Sequence, residues 1–359
     1  MIDYKFTNRQ RSDFEKVLKQ RVNHYFKEHN KSKKSDGHML FKTLFFFGCY
    51  LSIYLLIILG EFNNNWILLL LSTLLGFGHA LSGMNIMHDF VHGTYNKNII
   101  TTSLLRAFLL LVGVNSFIWK IEHNVIHHTY TNIDGVDQDV NPLYIFRFSE
   151  IQPRKWFHKY QYLYASFVYC LAIVDWQTSK DFLKLYRYYR DGYVGSKGEM
   201  ILLLLRLLVE KVIFYFLFLI IPFYSLDIGW GLPVLMLVSM MVSSSLLLSI
   251  VFRLAHVVPN TTLSSGKEKE SNKNWFVHQI ESSSNFANGN SLVTFLTGGL
   301  NYQIEHHLFP DVCHVHYPEV GIIVKETAKE YGVKYNSYPT FFDALRAHFY
   351  LLKIMGRKN

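Results

Sequence analysis

Long apolar runs alternate along this chain with charged, histidine-bearing stretches, and that alternation sets the expected fold. Residues 40–60 and 66–87 are apolar runs, each long enough for the ~30 Å hydrocarbon core of a bilayer. The short linker between them, Glu61-Phe62-Asn63-Asn64-Asn65, has no Lys or Arg. Together they predict a helical hairpin with both ends on one side. A second hairpin is predicted over 201–222 and 230–251, and its turn again lacks Lys and Arg. Arg206 and Glu210, in its first arm, have the spacing of an i, i+4 pair at the membrane interface. The run 104–119 is shorter. A full span there would put the histidine clusters on either side of it on opposite faces, so a re-entrant or interfacial helix is expected. Residues 140–198 are charged and aromatic and predict amphipathic helices at headgroup depth. Residues 317–356 have helical periodicity suited to closing over the histidines. The expected architecture is an all-α membrane protein with four transmembrane helices in two hairpins, interfacial helices and a cytosolic helical cap. The expected division is a basic cytosolic segment over 1–39 and a single domain over 40–359, with the cap formed by 88–200 and 252–359.

Composition narrows this. Half of the 359 residues are hydrophobic, yet the mean hydropathy is only +0.12, as expected for a membrane protein with a large aqueous part. The net charge is +9, and residues 1–42 carry eleven Lys or Arg against five Asp or Glu. With apolar runs directly following, that excess reads as a positive-inside signal, which puts the N-terminus, the histidines and the C-terminus on the cytoplasmic side. No aromatic-basic nucleic-acid module accompanies it, and a basic surface for an acidic protein partner is compatible with it. The three cysteines, Cys49, Cys170 and Cys313, are far apart, which argues against thiolate zinc, iron–sulfur clusters and a disulfide framework. The polar first 40 residues lack the apolar core of a signal peptide.

The chemistry lies in three histidine clusters: His88 with His92, His123 with His127 and His128, and Gln303 with His306 and His307. Residues four apart share one face of a helix. Eight nitrogen or amide donors exceed what one tetrahedral zinc takes and suit two six-coordinate metals with positions left open. Asp89, Glu122 and Glu305 each flank a histidine and are placed to orient an imidazole N–H.

These words resemble the three histidine boxes of membrane fatty acid desaturases: His88-Asp89-Phe90-Val91-His92, His123-Asn124-Val125-Ile126-His127-His128 and Gln303-Ile304-Glu305-His306-His307. The glutamine opening the third box is similar to that of the front-end subgroup. Flanking words match as well: Asn132 and Gly135-Val136-Asp137-Gln138-Asp139 after the second box, Gly298-Gly299-Leu300-Asn301 and Leu308-Phe309-Pro310 around the third. The likeness runs over residues 40–350. It implies a non-heme centre of two iron ions and molecular oxygen as co-substrate. The reaction it implies is insertion of a cis double bond into a fatty acyl chain carried by CoA or a lipid. It also implies a further ligand at the end of the fourth span, where His256 stands, and a possible ligand role for Gln303. Asn132, Asp137, Asp139 and Asn301 join Asp89 and Glu305 as candidates for supporting the ligands, and Trp119 and Tyr302 as candidate walls of the acyl channel. Many front-end enzymes carry a fused cytochrome b5 domain with a His-Pro-Gly-Gly motif. None is present here, so electrons are expected from a separate donor of ferredoxin or cytochrome b5 type.

Of the other histidines, His79 is expected to be a packed, hydrogen-bonded residue inside the second run. His278 lies in the stretch 275–290 near the expected metal region, and His314 and His316 are expected in a solvated loop. His24, His29, His38, His158 and His348 have no ligating spacing. The nearest rival is a hydroxylase or ketolase on the same scaffold. A b-type cytochrome would need histidine pairs facing each other inside the bilayer, and a metal transporter would need polar residues along the spans.

Overall fold

The computed structural model describes residues 4–6, 12–95, 99–138, 145–268 and 270–358. Its helices in chain order begin with α1 (Ser12–Glu28), α2 (Gly37–Leu59), α3 (Asn65–Val91), α4 (Ile99–Val112) and α5 (Ser116–His127). There follow α6 (Gln161–Tyr169), α7 (Asp181–Arg190), α8 (Lys197–Tyr215), α9 (Gly231–His256) and α10 (Trp275–Ser282). The last three are α11 (Gln303–Leu308), α12 (Tyr317–Glu330) and α13 (Phe341–Arg357). Strand content among the described residues is three parallel two-residue pairs, for example Ile133–Asp134 beside Ser264–Ser265.

Three helices, α2, α3 and α9, are long and apolar enough to cross a membrane. Asp36 caps α2 by accepting from the Met39 amide, and Asn64 caps α3 through the Trp66 amide, satisfying donors that a helix start leaves free. Leu40, Leu44, Leu59, Trp66, Leu70 and Leu235 are apolar yet exposed, a pattern that fits hydrocarbon rather than water as their surroundings.

α3 and α9 pack most closely. Thr73 Oγ1 lies 2.7 Å from Ser239 Oγ, and Ser243 Oγ donates to the Thr73 carbonyl at 3.0 Å. Gly76 permits the approach, since a Cβ there would run into the Met240 carbonyl and the Ser243 hydroxyl. Small residues at such crossings let backbones meet. Gly76→Ala is therefore expected to cost about 1–3 kcal/mol, read as a lower melting midpoint in detergent; an unchanged midpoint would show that the two helices are free to part.

The short run 104–119 is bent: α4 and α5 meet at 96°. Gly113 at the bend has φ +67°. Two buried polar bonds pin this corner to α8: Asn115 Nδ2 donates to Glu210 Oε2 at 2.7 Å, and Lys211 Nζ donates to the Gly113 carbonyl at 3.2 Å. Within α8 Arg206 Nε donates to Glu210 Oε1 at 2.9 Å, and Lys211 Nζ also reaches Asp181 Oδ2 of α7 at 2.7 Å. The expected pair at 206 and 210 is present, but Glu210 is buried and bridges two elements. α8 runs on through a π turn, Phe216–Ile220, and Ile221–Ser225. It is not among the three helices counted above.

Along α6 and just beyond either end, Trp156, Tyr160, Leu163, Phe167 and Leu171 are all exposed at helical spacing, as an interfacial helix requires. The basic N-terminal segment contributes a packed helix. Phe14, Leu18, Val22 and Phe26 of α1 are buried against Val320, Val324 and Ala328 of α12, in a core that also holds Ile304 and Leu308 of α11.

Candidate metal centre

The first box closes α3 beyond a π turn at Gly83–Met87. The second lies inside a π stretch, Lys120–His127, with the His128 amide bonded to the His123 carbonyl at 3.0 Å. This i→i+5 bonding replaces the α pitch that four-residue spacing suggested and widens the turn. The His123 and His127 rings still stack, 5.3 Å apart, yet their nitrogens enter different sets. The third box is the six-residue α11. It follows Gly298 and Gly299, both at positive φ, where a Cβ on Gly298 would meet the Met84 backbone and one on Gly299 the His314 side chain.

Two sets of imidazoles result. The ligand atoms of His88, His92, His123 and His306 lie within 4.8 Å of one another, and so do those of His127, His256 and His307. The His88 and His123 Nε2 atoms are 3.2 Å apart, as are those of His256 and His307. His128 sits between the sets, its Nε2 3.3 Å from His123 Nε2 and its ring centroid 4.4 Å from that of His307. The Gln303 side-chain amide reaches the second set, 2.9 Å from His256 Nε2 and 3.2 Å from His307 Nε2.

The outer nitrogens explain why the inner ones converge. His127 Nδ1 donates to Asp137 Oδ2 at 3.0 Å, His307 Nδ1 to Gln279 Oε1 at 2.9 Å, and His256 Nδ1 to the Ser282 carbonyl at 3.2 Å. His306 Nδ1 lies 3.1 Å from the Tyr317 hydroxyl. Each acceptor fixes the tautomer that leaves Nε2 with a free lone pair. Burial, reinforced by neighbouring imidazoles, holds His92, His128, His306 and His307 well below the usual imidazole range, so all four are neutral donors at physiological pH.

Beside these sets an apolar cavity runs along one face of α3, from His88 through Met87, Met84 and Gly83 to His79, and along α9 from His256 through Phe252 to Leu248. Trp119 lines it and stacks on His123 at 4.3 Å. At its inner end the His79 ring is fastened on both nitrogens, to Ser244 Oγ at 2.7 Å and the Val112 carbonyl at 3.0 Å.

With this geometry, the comparisons decide the family. The family model described as fatty acid desaturase matches residues 64–339. The chain belongs to the fatty acid desaturase family. It is 34% identical over 98% of its length to an acyl-lipid (8-3)-desaturase of Physcomitrium patens, covering 73% of that protein. It is likewise 34% identical to an sn-1 linoleoyl-lipid 6-desaturase of Arthrospira platensis (96% of this chain, 92% of the relative). To the Synechocystis protein of that same name it is 30% identical over 99% of this chain and 98% of the relative. The chain is a membrane oxidoreductase that desaturates fatty acyl chains.

The donor set of this desaturase fits a histidine-held metal. His92 Nε2, His128 Nδ1, His306 Nε2 and Gln303 Oε1 are buried polar atoms with no hydrogen-bond partner, a costly arrangement unless something else is bound.

Other expected residues fall in varied places. Asn132, at φ +55°, donates to the carbonyls of His256, Thr262 and Ser282. Asp89 accepts from His314 rather than from a box histidine. Glu305 points away from the imidazoles, accepting from Asn285 Nδ2 at 2.7 Å and the Tyr335 hydroxyl at 3.0 Å. Asn301 braces Thr294 and Thr297. The Tyr302 ring packs against Gly321 in the cap core rather than lining the cavity. Asp139 lies outside the described residues. His278 holds the Thr131 carbonyl at 2.8 Å, one layer out from the sets. His314 and His316, expected in a solvated loop, are buried: Lys42 Nζ from α2 meets His314 Nε2 at 2.6 Å, and the His316 ring packs edge-on against Phe26 of α1. Gln279 and Tyr317 were not anticipated, since neither carries a motif. Asp137→Asn is expected to lower metal affinity of the second set by about 10–100-fold, because the amide can present a donor where the His127 N–H needs an acceptor. Titration with Fe(II) would measure it, and wild-type affinity would remove Asp137 from this role.

Proposed function

We propose that this desaturase holds two iron ions, one by His88, His92, His123 and His306 and the other by His127, His256 and His307. His128 lies between them, and Gln303 completes the second set directly or through water. The observation that carries this is the pair of converging imidazole sets beside an apolar cavity. Iron suits imidazole donors and changes redox state, as zinc does not. Bound there, the iron pair would supply the oxygen-activating redox chemistry needed to remove hydrogen from an unactivated methylene.

The chain's own residues supply the rest. Asp137, Gln279, Ser282 and Tyr317 orient the imidazoles, while Met84, Met87, Val112 and Phe252 present a dry, shaped wall that fixes which C–H bonds face the site. In balance, a saturated C–C unit, one O2, two electrons and two protons give an alkene and two waters. The substrate is a fatty acyl chain on a lipid or CoA, the product bond is cis, and the electrons come from a separate ferredoxin or cytochrome b5-type protein.

The same reading assigns four spans, with α8 and its continuation as the third. The cap, both termini and the metal sites then lie on the cytoplasmic side, in keeping with the cationic N-terminal stretch. Residues 40–359 act as one domain. The test is the fatty-acid profile, with double-bond localisation, of a host expressing the chain or its His127→Ala variant, with and without oxygen. An oxygen-dependent alkene absent from the variant supports the reading. A hydroxylated acyl product would transfer it to the sister hydroxylases.

A further inference from the structure

A groove runs between α4 and α8, and it shares no lining residue with the cavity beside the histidine sets. Its walls are Leu109 and Leu110 of α4 and Leu202, Leu205, Val209 and Ile213 of α8, with Arg106 and Arg206 set among them. Leu202, Leu205 and Val209 are 67%, 54% and 58% exposed, so the groove lies open to whatever surrounds the helices. The Gly113 carbonyl beyond α4 meets Lys211 Nζ of α8. Arg106 lies two turns before Gly113 and Arg206 between one and two turns before Lys211, which brings both to a similar depth. From Arg206 to Ser225, where the continuation of α8 ends, there are about 20 residues, one hydrocarbon thickness. Both guanidiniums therefore stand near the cytosolic edge of that layer. Charge there is unbalanced. Arg206 gives Nε to Glu210 at 2.9 Å and Nη2 to Ser116 Oγ at 3.3 Å, yet its side chain stays 53% exposed. The other Glu210 oxygen is taken by Asn115. Arg106 is exposed and has no hydrogen-bond or ion-pair partner among the described residues. Two guanidiniums against one carboxylate leave a positive charge in a site otherwise built for hydrocarbon, which is costly until an anion joins it.

We propose that this groove holds an acidic phospholipid of the surrounding bilayer as a resident, unreacting ligand. Its phosphodiester sits on Arg106 and Arg206, and an acyl chain follows the leucines, Val209 and Ile213. The proposal rests on the assignment of α8 as the third span and not on the metal centre. A guanidinium fork matches two phosphate oxygens, and the single charge of a phosphodiester cancels the excess. A zwitterionic head brings its own cation and leaves that excess in place, which sets the preference for an acidic lipid. So bound, the lipid ties α4 to α8 from outside, as the Asn115–Glu210 and Lys211–Gly113 bonds tie the corner from within. α4 turns through 96° into α5, so occupancy steadies the corner from which the second histidine box rises.

The test uses the full-length protein, purified in neutral detergent and stripped of lipid. Melting midpoint and bound-lipid mass are followed while dioleoyl phosphatidylglycerol or dioleoyl phosphatidylcholine is titrated in. Wild type is expected to bind phosphatidylglycerol about tenfold more tightly than phosphatidylcholine, a difference of roughly 1.4 kcal/mol. Arg106→Gln should erase that preference and Arg106→Lys should keep part of it. Val209→Trp fills the groove but spares both arginines, and should weaken both lipids. Equal binding of the two lipids by wild type overturns the proposal, as does an Arg106→Gln protein with the wild-type preference. So does sodium glycerophosphate that stabilises as well as the intact lipid, since that would be a phosphate site without a groove. Should Arg106→Gln misfold, Val209→Trp decides, and wild-type affinity in that variant is the overturning result. The span is checked separately with Tyr224→Cys in sealed vesicles. Labelling by an impermeant reagent from the cytoplasmic face refutes the span assignment, and labelling from the opposite face upholds it.

Discussion

On the two-iron proposal, replacing His306 with alanine is expected to reduce desaturation more than about 100-fold and to lower the iron content from two toward one per chain. His306 enters only the first imidazole set, so the second set should keep its metal. The substitution removes an Nε2 that has no partner within the protein, and it strips the buried Tyr317 hydroxyl of the ring it meets at 3.1 Å. Iron analysis of purified protein, with product measured on the same sample, checks both halves. Full iron occupancy with full activity would exclude His306 as a ligand, whereas loss of both irons would show that the two sets bind as one unit.

The second large effect is on folding. Asn132→Ala should prevent accumulation of folded protein. Asn132 Nδ2 reaches three carbonyls, of His256 at 2.9 Å, Thr262 at 3.2 Å and Ser282 at 3.0 Å, and its amide donates to Asp137 Oδ2 at 2.9 Å. Alanine leaves the Thr262 carbonyl short of a donor, at about 1–3 kcal/mol, and takes one of two donors from the His256 and Ser282 carbonyls, which keep the Thr261 hydroxyl and His256 Nδ1. It must also adopt the left-handed backbone at φ +55°, which asparagine tolerates better. Together these remove a large share of the stability of an ordinary domain, about 5–15 kcal/mol. Size-exclusion profiles and melting of the detergent-solubilised variant are the readout. A midpoint only a few degrees lower would mean that water or a shifted side chain replaces the asparagine.

The apolar runs made the membrane helices legible because hydrocarbon leaves the chain few choices: about 20 apolar residues must form a helix. The histidines were legible for a similar reason, since dense imidazole has few uses besides metal. What was hidden depended on tertiary contacts. α1 buries Phe14, Leu18, Val22 and Phe26, but in a strongly basic stretch four apolar residues at a spacing of four are outweighed by the charge around them. The π turns at 83–87 and 120–127 have no compositional mark, because they use the residues an α-helix would. Asp89 was read as a partner for a box histidine. It serves His314 instead, since α2 carries Lys42 to the same place, and no local pattern reports a contact between residues so far apart in sequence. Gln279 escaped notice for a related reason: it orients His307 from α10, with no motif around it.

The packing of α1 gives the N-terminus mechanical leverage over the third box. Its buried ridge shares a core with Ile304 and Leu308, the apolar neighbours of Gln303, His306 and His307 on the short helix α11. Whatever pulls on the first thirty residues, whether a bulky fusion, a proteolytic nick or a partner that prefers them undocked, therefore loosens the floor beneath those side chains. The segment most tempting to use as a handle is in effect a wedge, and a purification tag placed there would be felt at the histidine sets rather than only at the surface.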